Sequence, residues 1–80
     1  MDNNEFKFSA RLEVDYINEE YKLNLPEGEN YETLGGLIVS NIGEIPSKNE
    51  VVVVEDYQFT ILEVSNTKID LVSLKILKAD

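Results

Sequence analysis

The sequence predicts an α+β domain in the order β-α-α-β-β-β, in which a mostly antiparallel sheet carries two helices on one face. Apolar residues recur at spacings of three and four in the first half, which is typical of helices. β-branched runs and alternating patterns fill the last third, and turn-forming residues separate them. A chain of 80 residues forms one domain with a thin core, so residues 1–80 are predicted to be a single domain.

The first strand and the first helix are predicted from two different periodicities. Apolar and polar residues alternate over residues 6–10, which indicates a short strand with one buried side. Val14, Ile17 and Tyr21 then recur at helical spacing, so a helix is predicted over about residues 13–22. No good N-cap residue precedes this helix.

The second helix is predicted over residues 31–42. Leu34, Leu37 and Ile42 would lie on one apolar side of it. Asn30 is the expected N-cap, because its side chain can accept a hydrogen bond from the first turn.

The pair Gly35-Gly36 inside this helix is the most unusual local feature, since each glycine costs a helix about 1 kcal/mol relative to alanine. Close packing of the helix backbone against a neighbouring element is the more common reason for such a pair. An opening for a ligand or for the backbone of a partner is the other. On that second interpretation Gly35 and Gly36, with Thr33 and Leu34 beside them, are the candidate contact residues.

The last third predicts an antiparallel meander of three strands. The alternation breaks at Leu62, which indicates a bulge or a strand that is buried on both sides, and Glu55-Asp56 is a predicted hairpin turn. The strand at residues 6–10 is expected to add to one edge of this sheet, because it has no other way to pair its backbone. The three strands are predicted at residues 51–55, 57–64 and 69–77.

Composition excludes several classes of function. The chain has 7 basic and 16 acidic residues, a net charge of −9, and neither Cys nor His. Nucleic-acid binding, zinc sites of the usual kind and His-based catalysis are therefore not expected, and we predict no enzyme activity. Glu27, Glu29 and Glu32 could hold a cation loosely but lack the spacing of a known calcium loop, so no metal site is predicted.

Several short motifs follow one another along nearly the whole chain. The most specific is Tyr-Glu-Thr-Leu-Gly-Gly-Leu-Ile at residues 31–38. The others are Val-Asp-Tyr-Ile-Asn-Glu at 14–19, Leu-Asn-Leu-Pro at 23–26, Gly-Glu-Ile-Pro at 43–46 and Tyr-Gln-Phe-Thr-Ile-Leu-Glu-Val at 57–64. In this order they resemble the motifs of the CorC/HlyC domain, also called the transporter-associated domain. Glu55-Asp56 departs from that family's usual Asp-Gly turn.

The resemblance implies a context for the domain. Such domains lie at the C-terminus of hemolysin-like proteins and of proteins for magnesium and cobalt efflux, after a transmembrane domain and a pair of CBS domains. Residues 1–80 would then be a fragment of a larger membrane protein, itself soluble and without direct membrane insertion, on the cytoplasmic side of the cell membrane. The expected partners are the CBS pair and the transmembrane domain of the same polypeptide, and a second copy in a homodimer. The expected function is non-catalytic modulation of ion transport through protein contacts.

The alternative is a binding module for FAD or another adenine nucleotide. It follows from the fold, which is similar to that of certain FAD-binding domains. The pocket would lie at Gly35-Gly36 and the neighbouring apolar faces. Because the chain carries a net charge of −9, phosphates would be repelled unless Lys48, Lys68 or Arg11 converge on that pocket.

Overall fold

The structure, a computed structural model, describes residues 5–77, and its elements follow the predicted order. They are β1 Glu5–Ser9, α1 Val14–Tyr21, α2 Leu34–Ile42, β2 Val51–Val54, β3 Tyr57–Val64 and β4 Ile69–Ile76. The strands form one antiparallel sheet in the order β1-β4-β3-β2, so β1 adds to an edge as expected. The predicted α+β fold class is confirmed, and each strand lies within one residue of its predicted bounds.

One hydrophobic core joins both helices to one face of the sheet. Successive side chains of a strand project to opposite faces, so only alternate residues enter this core. In β2, for example, Val52 and Val54 are buried whereas Val51 and Val53 are exposed. The largest fully buried side chains are those of Phe59, Ile17, Leu34, Leu37, Ile38, Ile61, Leu74 and Val72.

The turn between β2 and β3 consists of Glu55 and Asp56, because Val54 lies opposite Tyr57 in the sheet register. This confirms the hairpin predicted there. Glu55 adopts a left-handed conformation with a φ of 54°. A residue with a Cβ atom adopts that conformation at a cost of about 1 kcal/mol. The hairpin therefore forms without an Asp-Gly pair, and Glu55 carries the strain.

Of the two alternatives for the break at Leu62, the structure confirms the bulge. Ile61 lies opposite Val72 in β4, and Glu63 lies opposite Leu71, which leaves Leu62 as the additional residue of β3. An additional residue bends the strand and increases its local twist. A second irregularity follows, because Val64 lies opposite Ile69 and Asp70 is therefore an additional residue of β4.

Helix α2 begins later than the sequence predicts. It starts at Leu34 rather than at residue 31, and its N-cap is Thr33 rather than Asn30. The Thr33 Oγ1 accepts a hydrogen bond from the backbone N of Gly36 at 3.2 Å. The prediction of Asn30 as the cap was therefore wrong.

The reason for the late start is pairing of the preceding residues with the chain before α1. The backbone N of Val14 donates to the carbonyl of Glu32 at 2.8 Å, and Glu13 forms an isolated antiparallel bridge with Thr33. Residues in such a bridge are extended, and an extended residue cannot also occupy a helical turn. A long-range contact thus overrides the local helical pattern.

Helix α1 begins without a side-chain cap, in agreement with the absence of a capping signal. Val14 and Ile17 are buried, as the apolar stripe predicts, whereas Tyr21 is 43% exposed. The Tyr21 ring contacts Phe6 and Phe8 edge-on, with centroid distances of 5.6 and 5.0 Å. Within residues 5–77, no helix is long and apolar enough to cross a bilayer.

Candidate functional site

The four predicted contact residues, Thr33, Leu34, Gly35 and Gly36, lie at the beginning of α2. Leu34 is fully buried in the core, so its side chain is not accessible to a ligand or a partner. The other three line one groove on the surface. For these three a contact role stays a prediction, and Leu34 is corrected to a core residue.

The first turn of α2 is hydrogen-bonded to the chain that follows β1. The backbone N of Leu34 donates to the carbonyl of Leu12 at 2.9 Å, and that of Gly35 donates to the carbonyl of Ala10 at 2.9 Å. The N of Gly36 donates to the N-cap hydroxyl described above. Helix N-termini bind phosphate through free N–H groups. In α2 the N–H groups of Leu34, Gly35 and Gly36 are already bonded to acceptors within the protein.

Both glycines of α2 are closely packed against neighbouring residues. A Cβ atom on Gly35 would lie 3.2 Å from the Cβ and 3.3 Å from the carbonyl oxygen of Ala10, and 3.8 Å from the Cβ of Ile69. A Cβ atom on Gly36 would lie 2.9 Å from the Cβ of Tyr31. The packing interpretation is thus confirmed for Gly35, whereas the close neighbour of Gly36 belongs to the segment that leads into the same helix. The close neighbours are the chain after β1, the first residue of β4 and the chain that leads into α2.

A groove with a volume of about 430 Å³ opens beside the two glycines. Its walls come from the chain after β1, from α2 and the chain that follows it, and from the chain that enters β4. The lining residues are Ala10, Arg11, Thr33, Gly35, Gly36, Val39, Ile45, Thr67, Lys68 and Ile69. Its surface is mainly apolar. We call it the basic groove because the charged residues that line it, Arg11 and Lys68, are both basic.

Two cations border the basic groove, and no carboxylate lines it. Arg11 and Lys68 are both exposed, in a chain with a net charge of −9. These are two of the three bases whose convergence a nucleotide pocket would require, whereas Lys48 is not part of the lining. The groove therefore has the opposite charge to the chain as a whole.

The sheet topology brings these two cations together. Arg11 follows β1 and Lys68 precedes β4, and these strands are antiparallel neighbours. The backbone N of Ala10 donates to the carbonyl of Asp70 at 3.0 Å, which extends the pairing toward the groove. The sequence predicts β1 at a sheet edge, which is one of the two facts that are needed to place Arg11 beside Lys68. It did not specify β4 as the neighbour, so the two residues could not be paired in advance.

A second, acidic groove lies beside α1. It consists of two adjoining pockets of about 290 and 560 Å³ that share Glu13, Asp15 and Glu27. Glu32 lines the first pocket and Glu19 lines the second. Across residues 5–77, no group of three or more carboxylates is arranged to hold a metal ion. The acidic groove is thus a concentration of negative charge without a coordination site.

Asn18 holds the wall of the acidic groove in place. Its Nδ2 donates to the carbonyl of Leu25 at 3.0 Å and to Oε2 of Glu27 at 3.1 Å, and its Oδ1 accepts from the N of Leu25 at 2.8 Å. These bonds fix the loop after α1 against the helix. The sequence pattern does not indicate this role of Asn18, since its partner Leu25 is seven residues away.

The fold and the two grooves define a class of protein: a small α+β module whose surface carries one mainly apolar groove with two cations and one acidic groove. The chain belongs to the CorC/HlyC family, the transporter associated domain, whose model matches residues 1–78. The family suggested by the sequence motifs is thereby confirmed.

Two relatives of known name are similar in sequence. The chain is 36% identical over 53 residues to the polyamine export protein of Haemophilus influenzae, across 66% of this chain and 12% of that protein. It is 30% identical over 64 residues to the magnesium and cobalt efflux protein CorC of Buchnera aphidicola, across 80% of this chain and 22% of that protein. The chain thus spans only a small part of both relatives.

Solved structures of the same domain share the fold. One is the CorC_HlyC domain of a Xylella fastidiosa hemolysin in complex with Mg²⁺ and Mn²⁺, with a TM-score of 0.77 and 24% identity over 92% of this chain and 89% of that one. Another comes from a CBS domain protein of Porphyromonas gingivalis, with a TM-score of 0.78 and 17% identity over 98% and 94%. At such identities the likeness establishes the fold alone.

Proposed function

We propose that this chain is a non-catalytic accessory domain of an efflux transporter and that it modulates transport through protein contacts on the cytoplasmic side of the membrane. The observation that carries the proposal is the match to a magnesium and cobalt efflux protein of which the domain makes up only 22%. A domain that small, joined to a transporter, fits an accessory part. The other relative is a polyamine export protein, and polyamines are also cations, so the same accessory role is proposed for an exporter of that kind.

The side-chain chemistry supports a non-catalytic role. The chain has no His and no Cys, which are the commonest general base and thiol nucleophile. Among residues 5–77, no polar or charged side chain is buried. Catalytic groups commonly lie in buried surroundings that set their reactivity, and none of the described carboxylates is buried.

The expected partners are other parts of the same polypeptide. We propose that residues 1–80 are one domain at the C-terminus of a larger protein, that a CBS pair and a transmembrane domain precede it, and that two copies associate. The neighbour from Porphyromonas gingivalis belongs to a CBS domain protein, which supports the first of these partners. The basic groove, with Thr33, Gly35 and Gly36, is the proposed contact surface.

Binding of FAD or another adenine nucleotide is the alternative, and one observation favours it: Arg11 and Lys68 converge beside the two glycines. Against it, the first N–H groups of α2 are bonded to the protein itself, so phosphates would meet only two exposed side chains. Titration calorimetry with FAD and with ATP decides the matter. Absence of heat at millimolar ligand would remove this alternative.

Transport assays on the full-length protein test the main proposal. Deleting the domain should leave the transporter in the membrane but change its efflux of Mg²⁺, Co²⁺ or polyamine from loaded cells. The matched control is a transporter whose domain carries only Ser40→Ala, a change at an exposed position of α2. Efflux that is unchanged after deletion, at equal protein level, would contradict a modulating role.

A further inference from the structure

The basic groove is a local reversal of charge on an acidic molecule. Residues 1–44 carry 10 acids and 3 bases, yet Arg11 from this half lies in a groove without any carboxylate. Lys68 joins it from the second half of the chain. Opposite charges on a protein surface steer and select partners. An occupant with carboxylates would be drawn to this groove and repelled by the rest of the surface.

Within residues 5–77, no described hydrogen bond involves the charged end of either side chain. The hydrogen bonds that the structure gives these residues involve their backbone atoms. The backbone N of Arg11 donates to Oγ of Ser9, and the carbonyl of Lys68 accepts from the N and the Oγ of Ser65. These bonds fix the positions of both backbones, while the long side chains extend from exposed positions. The two cations therefore extend from backbone positions that hydrogen bonds hold.

The centre of the basic groove is apolar and favours an aliphatic side chain. Val39 and Ile45 are half-buried, and each leaves part of its apolar surface in the groove. Gly35 and Gly36 contribute backbone rather than side chains to the wall. Branched apolar anchors bind in such concave surfaces because they remove apolar area from water on both partners.

These features favour a peptide over a phosphorylated small molecule. The N–H groups at the start of α2 are already bonded, so phosphate would lose its usual backbone partners. A peptide does not require free N–H groups at a helix N-terminus in order to bind. It can place an aliphatic side chain against Val39 and Ile45 and set carboxylates opposite the two cations at the rim.

We propose that the basic groove is a docking site for a protein segment that carries an aliphatic anchor flanked by Asp or Glu. This inference rests on the proposed function, because it specifies the chemistry of the protein contact through which the domain acts. Arg11 and Lys68 select the segment by charge, and the apolar wall binds its anchor.

An unbiased selection tests the proposal. The 80-residue chain is immobilised and presented with a phage library of random peptides of about 12 residues, at about 0.15 M salt so that long-range repulsion is screened. We expect enrichment of sequences with an aliphatic residue next to carboxylates, although the chain has a net charge of −9. Nonspecific attraction to such a protein would enrich basic peptides instead.

Charge-reversal variants locate the site. The double variant Arg11→Glu with Lys68→Glu should bind the selected peptides at least about tenfold more weakly. The matched control is Lys7→Glu with Lys48→Glu, which changes the net charge equally at exposed positions outside the groove. It should retain binding. Backbone amide chemical shifts of Gly35, Gly36 and the residues around them should move on titration with the peptide.

Several outcomes would overturn the proposal. Enrichment of basic peptides would do so, and so would a selection that enriches no peptide. Acidic peptides that bind the two double variants equally well would also contradict it. Binding of FAD or ATP that moves the groove amides, with no peptide enriched, would assign the groove to a nucleotide. None of these results touches the transport assay on the deleted domain, so failure of this site and failure of the proposed function remain distinguishable.

Discussion

The two grooves of this domain differ in charge and in how they are built. The basic groove forms where the end of β1 meets the start of β4, so sheet pairing determines its position. The acidic groove forms between α1 and the loop that follows it, and Asn18 determines its position through side-chain hydrogen bonds. The basic groove thus depends on strand pairing, whereas the acidic groove depends on the hydrogen bonds of Asn18 and on the backbone bond between Val14 and Glu32.

This difference predicts how each groove responds to change. Substitutions at the basic groove act on tightly packed backbone and on the core beneath it. Substitutions at the acidic groove act on a loop held by a few hydrogen bonds. Point substitutions at each groove test this contrast, and their effect is the change in the free energy of unfolding, measured by urea titration.

The largest effect is expected for Leu34→Ala. Leu34 is fully buried beside the basic groove, and removal of such a side chain costs about 2–5 kcal/mol. Val39→Ala, in the groove itself, should cost about 1 kcal/mol or less because Val39 is only partly buried. Equal losses for the two variants would mean that Leu34 is less buried than described.

A smaller loss, about 2 kcal/mol, is expected for Asn18→Ala. The change leaves the N–H and the carbonyl of Leu25 without their side-chain partner, and a polar group left unpaired costs about 1–3 kcal/mol. Asn24→Ala, at an exposed position in the same loop, is the matched control and should change stability little. Faster amide exchange should appear around Leu25 only in Asn18→Ala. Exchange that becomes faster by the same amount across the whole domain would show that Asn18 does not act locally.

A loss of about 1 kcal/mol is expected for Gly36→Ala. The new Cβ atom would lie 2.9 Å from the Cβ of Tyr31, so the chain that leads into α2 must shift. The better helix propensity of alanine offsets part of this strain. Ser40→Ala, at an exposed position of the same helix, also gains helix propensity, although less than a glycine does, and creates no clash. A stabilised Gly36→Ala would show that Tyr31 moves freely.

The smallest effect lies away from both grooves. Glu55→Gly should stabilise the domain by about 0.5 kcal/mol, because it relieves the left-handed strain at a φ of 54° and loses part of that gain to unfolded-chain entropy. Asp56→Gly is the matched control in the same turn, at a residue that is not among those with positive φ. It should be slightly destabilising. Identical shifts of both variants would remove strain as the cause.

Much of the fold could be predicted because the local patterns agree with the tertiary structure. The alternation in β3, its break at Leu62 and the apolar sides of both helices all have their expected places. The start of α2 could not be predicted, because the bond between Val14 and Glu32 and the bridge at Thr33 extend residues that otherwise fit a helix.

The candidate site was predictable only in part. The pair Gly35-Gly36 indicated a position of close approach, and Arg11 and Lys68 were recognised as the cations that would have to converge. That they do converge follows from the pairing of β1 with β4, a contact between the two ends of the sequence. Leu34 was misplaced because the apolar stripe and the contact motif overlap there, and one residue cannot both fill the core and face a partner.

The pairing of the first strand with the last has a consequence for biosynthesis. Glu5 lies opposite Lys75, so the edge of the sheet closes only after almost the entire domain has left the ribosome. Contacts this distant along the chain slow folding, because a large loop must close before they form. Until β4 emerges, β1 has no backbone partner and the basic groove lacks one wall. The surface proposed for docking is therefore among the last features of the nascent domain to be completed.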